Sequence, residues 1–189
     1  FNVSFSTTTA TGYGPLIDIY LPATLGVGTN NAAFSATYLG TPIAASDIVI
    51  QTFPGICGSG NTTVNHPFAV MLNATTLTPD TITGPACDKV ASIRLPFGSF
   101  TPGQPAATIQ VTTNLASSAL VDGNPANDPV IRARAGFQFG DTALNDWCCV
   151  EGSNMNPSTP TITTWPSTMT VVPVVMQISK SYNGPENET

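Results

Sequence analysis

The 189-residue chain is 41% hydrophobic but only 8% charged, so it can bury one sizeable core while hydroxyl and amide side chains keep its surface wet. Its formal net charge of −6, with five Lys and Arg in total, excludes the clustered cations that release counterions from nucleic acid and sets the chain against an acidic membrane surface. No stretch approaches the roughly 20 apolar residues that span a bilayer, so membrane insertion is not expected.

The chain opens at Phe1 without a methionine, a charged n-region or an apolar h-region, as a processed or trimmed chain does; export is inferred from composition. Strands are expected over Phe1 to Thr9, and around Ile17, Ile19 and Leu21, with Asp18 and Tyr20 on the opposite face. Further strands follow at Ala32 to Leu39, Asp47 to Phe53 and Pro67 to Leu72. Ala91, Ile93, Leu95 and Phe97 alternate with Ser92 and Arg94, and Ile109, Val111 and Leu115 with Gln110, Thr112 and Asn114. The clearest period-two run is Val130 to Gly140. Ile131, Ala133, Ala135, Phe137 and Phe139 make an inner face, with Arg132 and Arg134 outward and paired to an outward Asp such as Asp18. A long apolar strand is expected from Met169 to Ser179.

Turn signals such as Gly12-Tyr13-Gly14-Pro15 and Thr101-Pro102-Gly103 separate these runs, and 17 prolines with 16 glycines leave little room for helix. The expected fold is all-β, an antiparallel β-sandwich of Ig-like or jelly-roll-like kind, with a long polar loop near residues 140–160. Residues 1–182 read as one domain, and 183–189 as a linker or junction to a following module.

Four cysteines permit two disulfides in three connectivities. Cys57 and Cys87 each sit in a turn-like setting and form the preferred bridge. The adjacent Cys148 and Cys149 bond to a neighbouring chain or each take one of the other pair; reduced cytosolic thiols are the alternative.

Little in the sequence assembles into a catalytic set. The lone histidine, His66, reads as a turn residue bonded to nearby backbone, with no Gly-x-Ser-x-Gly elbow to make a triad. No Cys-x-x-Cys supports zinc, and no Gly-rich loop cradles phosphate. Asp122, Asp128, Asp141, Asp146 and Glu151 form the one dense acidic stretch and read as turn residues. Calcium at Asp122 to Asp128 is the alternative, and no cofactor is otherwise expected. Asn2, Asn61, Asn73 and Asn187 open glycosylation sequons. Lys89 and Lys180 read as surface lysines, not as isopeptide partners.

Gly12-Tyr13-Gly14-Pro15-Leu16-Ile17-Asp18-Ile19-Tyr20-Leu21-Pro22, the stretch from Leu95 to Pro105, Ala133-Arg134-Ala135-Gly136-Phe137-Gln138-Phe139-Gly140 and the closing Lys180 to Thr189 carry a resemblance. Together they resemble an early β-sandwich module of very large bacterial cell-surface proteins, the conserved-repeat or isopeptide-forming fimbrial-type adhesins. The resemblance implies that Asn183-Gly184-Pro185-Glu186 leads into further β-sandwich repeats.

The functional expectation is a non-catalytic extracellular structural module of a cell-surface fibre, pilus-like filament or surface layer. Its partners are copies of itself or neighbouring modules of the same surface protein. Strand addition would use the terminal apolar run, with Val171, Val172, Val174, Val175, Met176 and Ile178 as donor residues. The alternative is a carbohydrate- or surface-binding adhesin domain that stacks glycans on Tyr13, Tyr20, Trp147 and Trp165.

Overall fold

The computed structural model describes residues 1–9, 11–25, 34–73, 76–114, 123–139 and 161–172. The expected polar loop near 140–160, the junction 183–189, and Cys148, Cys149, Asp122, Trp147, Lys180, Val174, Val175, Met176 and Ile178 lie outside them. The fold is an all-β sandwich, and its longest described helices are single 3-10 turns such as Ala45–Asp47 and Pro125–Asn127.

The strands are β1 (Asn2–Phe5), β2 (Gly12–Tyr13), β3 (Pro15–Leu21), β4 (Ser35–Tyr38), β5 (Thr41–Pro42), β6 (Ile48–Thr52) and β7 (Asn61–Asn73). They continue as β8 (Thr76–Pro85), β9 (Lys89–Arg94), β10 (Ser99–Phe100), β11 (Ala107–Thr112), β12 (Val130–Phe137) and β13 (Ser167–Thr170). One sheet runs β1-β11-β4-β5 and the facing sheet β13-β12-β3-β9-β6; β7 and β8 form a long hairpin, and β2 pairs with β10. Every named pairing is antiparallel.

The alternation in sequence fills the space between the two sheets. Phe5, Ile109 and Val111 from the first sheet pack on Ile17, Ile19, Leu21, Ile93 and Ile131 from the second. Burying such side chains contributes about 1.5–3 kcal/mol each.

A second apolar layer was not expected. The β7–β8 hairpin covers the outer face of the five-stranded sheet, where Tyr20, Phe53, Ile82, Val90, Ile162 and Trp165 form their own cluster. Leu16, Phe68 and Ala69 form a third beside it. Consequently all seven residues of β3 are buried, and its polar-looking outer row faces protein instead of water.

Gly84, in β8, is where this outer layer closes most tightly. A Cβ there would lie 2.4 Å from Ile162 Cδ1 and 2.7 Å from the Phe53 ring. Gly84→Ala is therefore expected to lower stability by about 1–3 kcal/mol in urea unfolding, the usual range for overpacking.

Candidate functional site

The outer face of β3 holds the main concentration of buried polar chemistry among the described residues. Sheet register puts Arg134 of β12, Asp18 of β3 and Ser92 of β9 side by side in one row. His66 descends on this row from β7. Its approach depends on an irregularity between Asn65 and Val70, where the β7–β8 register shifts. Pro67 lies in that irregular stretch, the kind of position a strand leaves for a residue without an N–H.

Asp18 is the hub. Its Oδ1 accepts from Ser92 Oγ at 2.6 Å and lies 3.0 Å from His66 Nε2, while Oδ2 accepts from Arg134 Nε at 2.9 Å. His66 Nδ1 accepts two backbone N–H groups, from Phe68 at 3.0 Å and Ala69 at 2.8 Å. Those two donors fix the tautomer, leaving the ring proton on Nε2 to be donated to the carboxylate. Arg134 also lays its guanidinium over the Trp165 ring, 4.9 Å from the centroid. Burial by itself would raise the Asp18 pKa. The His66 imidazole, the Arg134 guanidinium and the Ser92 hydroxyl outweigh it and hold the carboxyl below its ordinary value of 3.8.

This corrects two expectations. Asp18 and Arg134 do pair across the sheet, but not as an exposed ion pair: both are buried, and removing either leaves a charge stranded in protein. His66 is bonded to nearby backbone as expected, yet its other nitrogen is committed to Asp18.

Asp, His and Ser also make a hydrolytic triad, but their order here is different. In a triad the serine faces the imidazole nitrogen opposite the carboxylate. Here Ser92 bonds the carboxylate, and the opposite nitrogen is taken by two amides. With Asp18, Ser92 and His66 all buried, this arrangement is a tie that fastens the hairpin to the sheet.

A second tie lies at one end of the molecule. Cys57 and Cys87 form a disulfide with Cα atoms 4.9 Å apart, as the sequence suggested. Next to it, Asp88 accepts from Tyr20 Oη at 2.6 Å and from the Ala23 N–H at 2.8 Å. Burial, then the Asp88 carboxylate, keep the Tyr20 phenol protonated well above its ordinary range. Tyr20→Phe is expected to cost about 1.5–3 kcal/mol in chemical denaturation, the range for a hydrogen bond to a charged acceptor.

The glycan-stacking platform is not on the described surface. Tyr20 and Trp165 are buried in the hairpin-covered layer, while Tyr13 is half-buried in β2. In the acidic turn, Asn124 Oδ1 accepts from the Ala126 N–H and starts a 3-10 turn. Among the described residues, no three His, Cys, Asp or Glu side chains converge to hold a metal. No helix among them is long and apolar enough to cross a membrane.

The third feature is a groove where the sandwich is open. Three adjoining cavities, of about 320, 260 and 290 Å³, lie between β1 and β13. The first two share Phe1, Ile131 and Met169, and the last two share Val3, Ser4, Ala133 and Ser167. Among the described residues, β1 and β13 are the terminal strands of their sheets on this side. Val171, one of the proposed donor residues, lines the end of the groove, and Val172 is exposed.

No protein-family model, curated protein or solved structure matches this chain.

Proposed function

We propose that this chain is a non-catalytic extracellular structural module of a cell-surface fibre, pilus-like filament or surface layer, built with copies of itself or with neighbouring modules. The observation that supports this best is the use of its buried polar groups. Asp18, Ser92, His66 and Arg134 are bonded to one another and closed to solvent, so they stabilise a shape and present nothing to a ligand. The Cys57–Cys87 bridge supports an oxidising compartment, where disulfides persist. Threonine-rich exposed stretches and few charges fit an extracellular β protein. The resemblance to an early module of large bacterial surface proteins agrees with this reading. Gold-labelled antibody on intact cells of the source organism is expected to decorate filaments or a continuous surface array. Label confined to the cell interior would refute the proposal.

One observation favours a second reading, a carbohydrate- or surface-binding adhesin domain. A cavity of about 340 Å³ gathers Tyr20, Asn127, Asp128, Arg132 and Thr163 beside Pro22 and Pro129. Amide, carboxylate, guanidinium and hydroxyl groups converging on one cavity are groups that a sugar's hydroxyls can bond. A glycan array with no binder would remove this reading.

A further inference from the structure

We propose that the groove between β1 and β13 is an acceptor site for a β-strand from a second copy of this chain, supplied by Val174 to Ile178. This rests on the structural-module reading and names the surface through which modules would join.

The acceptor side is set by the open edges. Among the described residues, β1 is bonded only to β11 and β13 only to β12, so each has an outer edge with no strand beside it. The groove runs past Phe1 to Ser6, six residues, or roughly 20 Å at strand spacing. Phe1, Val3, Ile131, Ala133 and Met169 give its lining apolar patches between Asn2, Ser4, Ser167 and Thr168, and all four residues of β13 are exposed, Met169 at 37%. Open edges beside partly apolar surface offer backbone groups to an added strand.

The donor is set by the sequence that follows. Val174, Met176 and Ile178 recur at period two and place three apolar side chains on one face over about 16 Å. Ser179-Lys180-Ser181 ends the run. Pro173, without an N–H, stands where such a strand would begin, a position proline tolerates.

The join between β13 and the donor argues for exchange between copies. Tight hairpins need positive φ at a central turn residue. Val171-Val172-Pro173-Val174 offers three β-branched residues and a proline fixed near −65°. Val172, preceding proline, is biased to extended backbone. Val172 is also 70% exposed, at the end of the groove that Val171 lines. A segment whose link to β13 is ill-suited to a tight hairpin is available to a neighbour's groove.

The test uses the full 189-residue chain. Wild type should form oligomers that grow with concentration by light scattering, and Val174→Lys with Met176→Lys should be monomeric. That double variant, with its groove intact, should bind a fluorescent peptide of residues 171–182. A photo-crosslinking residue at Ser4 should attach to the peptide within 174–178. Unlabelled peptide should shorten wild-type oligomers, and the lysine-substituted peptide should bind at least tenfold more weakly. A double variant that neither binds nor crosslinks the peptide overturns the proposal. So does a monomeric wild type whose double variant takes the peptide, since the chain's own tail would then fill the groove. Oligomers that survive the double substitution also overturn it, yet leave the surface-module reading standing. That reading fails separately, on the cell-labelling result.

Discussion

Replacing Asp18 by alanine is expected to destabilise the protein by about 3–5 kcal/mol, the cost of removing one partner from a buried ion pair. The reasoning starts from solvation. Arg134 is 4% exposed and His66 2%, so neither can recover with water what it loses in the carboxylate. Arg134 would keep the Trp165 face, which does not replace a charge-assisted hydrogen bond. Equilibrium urea unfolding of the variant and wild type measures the difference. Asp18→Asn should be nearly as damaging, because an amide keeps the shape but not the charge. A loss below about 1 kcal/mol for both, the value of an exposed pair, would show that the cluster is not the tie described above.

The same cluster sets a pH dependence. The folded-state pKa of Asp18 is below its value in the unfolded chain, so the unfolded state binds the proton more readily. The stabilisation is therefore fully present above the ordinary carboxylate value of 3.8 and disappears as pH falls below it through the folded value. Unfolding free energy plotted against pH should drop more steeply in this acid range for wild type than for Asp18→Asn.

Much of the two-sheet core was legible because one side of each strand faces apolar side chains and period-two alternation records that directly. The alternation turns Ile131, Ala133 and Phe137 inward, and they are buried. The outer layer was not legible, for a physical reason. Once a hairpin covers the second face, the row Leu16, Asp18, Tyr20 becomes interior, but alternation still reads it as solvent-facing. Two signals pointed the other way. Leu16 and Tyr20 are large and partly apolar for an outer row. Asp18 stands alone among Ile17 and Ile19 on a strand whose neighbour carries Arg134. His66 was hidden because the β7 irregularity that turns it inward depends on pairing with β8, a strand that Leu77-Thr78-Pro79-Asp80 disguises as a turn. The groove was invisible in sequence for a simpler reason: which strands end a sheet is a matter of topology, and β1 and β11 meet across more than 100 residues.

Opening the Cys57–Cys87 bridge should have the other large effect. The two cysteines are 30 residues apart, and cross-linking a loop of that size removes unfolded-state entropy equivalent to about 3–4 kcal/mol. The native structure around the bridge is held independently. Cys87 N–H donates to Phe53 O at 2.9 Å, Phe53 N–H donates to Asp88 O at 2.9 Å, and Ala86 N–H donates to Gly60 O at 2.8 Å. Cys57→Ser with Cys87→Ser should therefore fold to the same sandwich, with an unchanged far-ultraviolet circular dichroism spectrum, and unfold at a lower urea midpoint. Combining it with Tyr20→Phe discriminates further, because Asp88 joins the two ties at adjacent residues. If the bridge also positions Asp88, the combined loss will differ from the sum of the single losses by about 0.5 kcal/mol or more, the signature of coupled neighbours. Strict additivity would mean that the bridge acts only on the unfolded chain.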